Sequence, residues 1–171
     1  MKIVLVGYMG SGKTTIGKLI AKDLKLNFID LDEYIETSEK MTISELFQSK
    51  GEIYFRKKEY LYLKEILSSQ NNFILSTGGG TPCYGDNMNT IVTATDNNFY
   101  LKVSLPNLVE RLSKEKSKRP LIKNTSDDDL QEFIGKHLFE RSFYYNQSKN
   151  VITCDGKSPQ IIVDEIKAKL I

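Results

Sequence analysis

Residues 7–14 read Gly-Tyr-Met-Gly-Ser-Gly-Lys-Thr, directly after the apolar run Ile3, Val4, Leu5, Val6 and shortly before Ile16, Leu19, Ile20 and Leu24. The apolar steps of three, one and four lie on one face of a helix, and the preceding run suits a buried strand. A strand, a glycine loop and a helix in that order make a phosphate-binding loop. Its glycines let the backbone turn and aim N–H groups at phosphate oxygens. Lys13 reaches the outer phosphates, and Thr14 offers a hydroxyl to Mg²⁺. The helix that starts here adds its positive dipole end.

Two more apolar strands end in chemistry. Asn27, Phe28 and Ile29 run into Asp30, Leu31, Asp32, and the alternation puts both acids on one side of the chain at the strand's exit. Helix capping alone would also explain them, but open α/β sheets bind ligands beyond the carboxyl ends of their strands. Residues 73–76 make a third strand that enters Gly78, Gly79, Gly80. Three glycines in a row are entropically costly, so an ordered run marks a close approach of backbone to ligand. Between these strands, Thr42 or Ser44 with Glu45 opens a short helix that Gly51 ends, and residues 52–67 read as another. On it Arg56 and Glu59 are three apart and share a face, which a plain surface ion pair would also satisfy.

The second half continues the alternation: a short helix at 87–92, a strand at 99–103, a helix at 105–115, a helix from Asp127, a strand at 151–154 and a closing helix at 161–170. Strand and helix taking turns predict a parallel sheet covered on both faces. The segment Lys114, Glu115, Lys116, Ser117, Lys118, Arg119, Pro120 has no periodicity. It suits a solvated loop or, in a phosphoryl-transfer enzyme, a lid that excludes water from the phosphates. His137, on the helix from Asp127, reads as an ordinary surface histidine.

Composition excludes more than it selects. The 171 residues, 40% hydrophobic and 27% charged with a net charge of +2, fit one globular domain without the basic excess of a nucleic-acid binder. Cys83 and Cys154 form no spaced pair, and a single histidine rules out a histidine metal cluster. No apolar run approaches the roughly 18 residues of a membrane span. The expectation is a cytoplasmic chain with reduced thiols and neither leader nor anchor.

Phosphoryl transfer asks a protein mainly for positioning and charge stabilisation. A pair of aspartates repels a phosphate acceptor but welcomes hydroxyls, and one of them can take the alcohol proton. Arg56 and Arg141 can each grip a carboxylate through two parallel bonds. The implied acceptor is a small polyhydroxy acid.

Together these stretches resemble the shikimate kinase family. The resemblance rests on Gly-x-x-Gly-x-Gly-Lys-Thr from Gly7, Asp-x-Asp at Asp30 and Asp32, and Phe-Arg-x-x-Glu at residues 55–59. Ser-Thr-Gly-Gly-Gly from Ser76, Arg-Pro-Leu at residues 119–121 and the arginine and tyrosine at Arg141 and Tyr144 complete it. It implies transfer of phosphate from Mg-ATP to shikimate, giving ADP and shikimate 3-phosphate on the route to aromatic amino acids. It also implies a three-layer α/β/α sandwich on a five-stranded parallel sheet in order 2-3-1-4-5. One domain would span residues 1–171, with a substrate-binding region at about 32–62 and a lid at about 113–125.

Carried over residue by residue, Gly10, Ser11, Gly12, Lys13, Thr14 and Thr15 would hold the ATP phosphates, and Thr14 with Asp30 would hold Mg²⁺, Asp30 through water. Asp32 would bind the ring hydroxyls and serve as base. Arg56 and Arg141 would take the carboxylate, with Glu59 orienting Arg56 and Gly78, Gly79 and Gly80 meeting the ring. Arg119 would reach the transferring phosphate, and Arg111 and Lys157 would lie on the adenine side. No nucleic-acid or membrane partner is implied, and the chain is expected to be a monomer. Gluconate kinase, which phosphorylates another polyhydroxy acid, is the nearest alternative; Arg56 with Glu59 and the glycine run argue against it.

Overall fold

Strand β1 (Lys2–Val6) carries four consecutive residues, Ile3 to Val6, without solvent exposure, so it must lie inside a sheet covered on both faces. In the computed structural model, which describes residues 1–118 and 121–171, it sits at the centre. It pairs in parallel with β3 (Phe73–Ser76) on one side and β4 (Asn98–Lys102) on the other. The edges are β2 (Asn27–Asp30) beside β3 and β5 (Asn150–Thr153) beside β4, also parallel. The strand order is therefore β2-β3-β1-β4-β5, as the family resemblance implied. Each Ile, Leu, Val or Phe buried here contributes about 1.5–3 kcal/mol. The edges are leaner: Asn27 is exposed and Val151 is 42% exposed.

Strand boundaries shift where polar residues join the ladder. Asn98 belongs to β4 although it breaks the apolar run, because its buried amide donates to Thr95 O (2.6 Å) and accepts from Lys149 N (2.7 Å). Likewise β5 starts at Asn150, and Cys154 lies beyond it.

After β1 the chain crosses through α1 (Lys13–Leu24) to β2, whereas after β3 it crosses through α4 (Asn87–Ala94) to β4, on the opposite side. The two exits leave a crevice at the carboxyl ends of β1 and β3. Register makes these ends flush. Ser76 lies opposite both Leu5 and Asp30, so the phosphate loop, the acid pair and the glycine run begin at one edge.

Helices α2 (Leu31–Glu39) and α3 (Ile43–Ser68) form an arm beside that edge. Thr42 opens α3 with a reciprocal capping box to Glu45. Gly51, at φ 81° and ψ 168°, breaks α3 into two helical stretches that meet at a kink, as its place in the sequence leads one to expect; that conformation is essentially closed to residues with a side chain. Glu39 clamps α2 to α3. Its carboxylate accepts from Tyr54 Oη (2.7 Å) and Tyr62 Oη (2.5 Å) and pairs with Lys58 Nζ (2.9 Å). These bonds, that of Tyr62 foremost, hold its pKa down at about 2. Glu39→Gln should lose about 1 kcal/mol, or roughly 2–4 °C in Tm at pH 7. An unchanged melting curve would remove the clamp.

Helix α5 (Leu105–Ser113) leads into a 3-10 turn at Lys116–Lys118, and Ser126 caps the long α6 (Asp127–Tyr145). Between them Ile122 is fully buried, and Lys116 Nζ donates to Thr125 O (2.8 Å) and pairs with Asp127. The segment is thus pinned to the fold at both Lys116 and Ile122. Arg119 and Pro120 lie outside the described residues. Helix α7 (Pro159–Lys167) packs against α1 and closes the chain.

Candidate active site

The phosphate loop is already shaped. Gly12 takes a left-handed conformation (φ 96°) to start α1, so the helix N-terminus opens on the crevice. Lys13 Nζ, largely buried, donates to Gly7 O (2.8 Å) and Tyr8 O (3.0 Å), bracing the loop across its width. Thr14 Oγ1 donates to Asp30 Oδ2 (3.1 Å), and Asp30 Oδ1 accepts from Asp32 N (3.1 Å). Asp30 therefore caps α2 with one oxygen and meets the phosphate loop with the other. Capping accounts for Asp30 in part and not for Asp32, whose carboxyl lines the cleft.

That cleft has a volume of about 270 Å³ and is lined by Gly12, Lys13, Thr14, Asp30, Asp32 and Gly79 among others. Burial, then the charges of Asp30 and Glu59, push the pKa of Asp32 up to about 6, with Lys13 partly offsetting them. Among the described residues no group of three or more His, Cys, Asp or Glu is placed to hold a metal.

On the acceptor side, Glu59 is 1% exposed. A surface ion pair is therefore excluded. Its Oε2 accepts from Arg56 Nη1 (2.8 Å), and its Oε1 accepts from Thr81 Oγ1 (2.7 Å), tying α3 to the residue after the glycine run. The Arg56 guanidinium lies on the Tyr84 ring, 3.6 Å from its centroid, which fixes its plane. None of Gly78, Gly79 and Gly80 adopts a positive φ; the run is required by space. A Cβ on Gly78 would stand 2.9 Å from Asp32 Oδ1, one on Gly79 3.1 Å from Met9 N, and one on Gly80 3.2 Å from Arg56 Nη2 and 3.4 Å from Arg141 Nη2. The glycine run thus lies between the acid, the loop and both arginines. Gly79→Ala, which drives a methyl against loop backbone, should raise the KM for the acceptor at least about tenfold and that for ATP less. Equal KM values for wild type and variant would contradict this close approach.

Other expected residues lie further out. Arg111 Nη1 donates to Gly10 O (3.1 Å), at the outer side of the loop. Lys157 is engaged by Glu165 (2.7 Å), and the neighbouring Asp155 accepts from Ser104 N and Asn107 Nδ2 at the start of α5. Arg119, expected over the phosphates, is outside the described residues. His137 is not the surface histidine expected: it is half-buried, with Nδ1 3.0 Å from Tyr8 Oη. Cys83 is half-buried and its thiol is pushed up to about 11, chiefly by burial, so it stays protonated at neutral pH. Thr81, Tyr84 and Tyr8 join the site without a local signature; each is placed by a contact between distant segments.

A parallel sheet in this order, with a phosphate loop and facing acids at its switch point, defines a P-loop phosphotransferase acting on a small molecule. A sequence model of the shikimate kinase family matches residues 9–171. The chain is 52% identical over 165 residues to the shikimate kinase of Flavobacterium psychrophilum, covering 96% of both proteins. It superposes on the crystal structure of shikimate kinase from Bacteroides thetaiotaomicron with a TM-score of 0.91, at 37% identity over 98% of this chain and 97% of that one. Shikimate kinase from Acinetobacter baumannii, solved in complex with shikimate, matches with a TM-score of 0.86, at 28% identity over 99% and 95%. The chain belongs to the shikimate kinase family.

Proposed function

We propose that this cleft transfers the γ-phosphoryl group of ATP to the 3-hydroxyl of shikimate, giving shikimate 3-phosphate and ADP, with Asp32 as the base. The observation that carries this is the placement of one cleft carboxylate between the phosphate loop and a glycine run flanked by Arg56 and Arg141. Backbone and side chains from Gly10, Ser11, Gly12, Lys13, Thr14 and Thr15 hold the phosphates. Arg56 and Arg141 hold the acceptor carboxylate, Glu59 orients Arg56, and Gly78, Gly79 and Gly80 let the ring approach. Asp32 accepts the proton of the 3-hydroxyl as its oxygen bonds to the γ-phosphorus and the bond to the β,γ-bridging oxygen breaks, releasing ADP. A carboxyl pushed up to about 6 is a better base than an ordinary aspartate and is still ionised at neutral pH.

Thr14 Oγ1 and Asp30 Oδ2 are hard oxygen donors at the mouth of the loop, and among the described residues no cluster of three or more His, Cys, Asp or Glu surrounds them. That suits Mg²⁺, which keeps waters and nucleotide phosphates as ligands. Bound there, the ion would neutralise phosphate charge. Arg119 would act over the transferring phosphate, within a lid at about 113–125, and residues at about 32–62 would make the acceptor region of a single domain. Arg111 and Lys157 would serve the adenine side, Lys157 by exchanging its ion pair with Glu165 for the nucleotide. No helix among the described residues is long and apolar enough to cross a membrane. The reading also takes the enzyme to act in the cytoplasm as a monomer. The test is the product: ³¹P and ¹H NMR of the reaction should show a single ester at the 3-position. Phosphate on another hydroxyl would overturn the placement of Asp32.

A further inference from the structure

Phe133, His137, Arg141 and Tyr145 are spaced four apart on α6 and so form one stripe. The stripe faces the ligand loops. Tyr8, 1% exposed in the phosphate loop, meets His137 Nδ1 through its hydroxyl at 3.0 Å, with the two rings edge to face at 5.7 Å. Phe133 backs the imidazole from the preceding turn, with ring centroids 5.3 Å apart. One turn further on, the Arg141 guanidinium stands 5.7 Å from the centroid of the same Tyr8 ring. Beyond it Tyr145 Oη donates to Gly79 O (2.5 Å). Arg141 is thus bracketed by two tyrosines, one latched to α6 by His137 and one latched to the glycine run.

We infer that Tyr8 and His137 are a positioning pair for Arg141, fixing the carboxylate arm of α6 to the loop that holds the nucleotide; this rests on the assignment of Arg141 to the shikimate carboxylate. A guanidinium on a free helix face would sample several rotamers and lose that entropy on binding. Packed against a tyrosine ring that is itself hydrogen-bonded, it is held before the acceptor arrives. Burial keeps both partners of the latch neutral at pH 7, raising the pKa of Tyr8 and lowering that of His137. With the ring proton on Nε2, Nδ1 accepts from the phenol. Neither residue touches the reacting atoms. Their effect falls on acceptor binding.

The test is a set of initial-rate measurements on the intact enzyme, varying shikimate at saturating Mg-ATP and ATP at saturating shikimate. His137→Leu should raise the shikimate KM about fivefold, with kcat and the ATP KM within about twofold of wild type, and Tyr8→Phe should raise the shikimate KM by the same factor. The double variant should be no worse than either single one, because both remove the same bond. His137→Asn, whose Oδ1 replaces Nδ1 as acceptor, should recover a KM within about twofold of wild type. Single effects that multiply in the double variant, failure of His137→Asn to recover, or an ATP KM rising in step would each overturn the inference. Arg141→Lys separates the two levels. If it leaves the shikimate KM unchanged, the carboxylate assignment falls and this inference with it. If it raises KM while His137→Leu does not, only the positioning pair is lost.

Discussion

Asp32→Asn should lower turnover by a factor on the order of 10² or more and at the same time make the unliganded protein more stable. The base is lost because an amide cannot take the hydroxyl proton. The stability gain follows from the raised pKa, from an ordinary 3.8 to about 6. A carboxyl whose folded-state pKa is raised favours the fold when protonated. That contribution is complete below pH 3.8 and is lost as pH rises through about 6. At neutral pH the ionised group therefore costs free energy. The full shift corresponds to about 3 kcal/mol; Asp32 is open to solvent on its cleft side, so on the order of 2 kcal/mol is expected. Thermal melts in EDTA without nucleotide should place the variant roughly 4–8 °C above wild type at pH 7.5, with the gap closing near pH 4. A variant no more stable than wild type would mean that burial and the neighbouring charges do not hold the Asp32 carboxyl above its ordinary range, and unimpaired turnover would remove it as base.

Arg56→Met should damage both the site and the fold. It keeps most of the stem and removes the guanidinium, leaving Glu59, at 1% exposure, with Thr81 as its remaining hydrogen-bond partner. Stranding a buried carboxylate in this way costs about 3 kcal/mol. Losing a charge-assisted grip on the acceptor carboxylate should raise the shikimate KM on the order of 10²-fold, with the ATP KM little changed. The two effects separate in the double variant Arg56→Met/Glu59→Gln: the neutral amide should recover most of the stability while KM stays high. Stability that does not return would show that Glu59 is not the stranded charge. A KM that does return would remove Arg56 from the carboxylate.

The parts of the site that a sequence exposes are those fixed over short spans. The phosphate loop needs its residue types within eight consecutive positions, Asp30 and Asp32 are two apart, Arg56 and Glu59 three apart, and the glycines are contiguous. Each pattern has a local physical reason, and strand and helix alternation then brings the loops to one edge. Tyr8 and His137 are 129 residues apart, and Thr81 reaches Glu59 across 22. Such contacts depend on how α6 and α3 pack and leave no periodicity to read. The stripe at residues 133, 137, 141 and 145 was present as a spacing of four, but its partner across the cleft was not. Gly51 marked the break within α3 legibly, because a non-helical backbone at positive φ calls for glycine whatever packs around it. Asn98 hid the start of β4 because hydrogen bonding, not apolar character, places it in the sheet.

The most direct measurement is the initial rate of ADP release from Mg-ATP with shikimate, with gluconate and with neither. Release that depends on shikimate, with gluconate no better than the blank, is the predicted result. Release stimulated by gluconate alone, or equal in all three, would leave the phosphate loop in place and contradict the roles given to Asp32, Arg56 and Arg141.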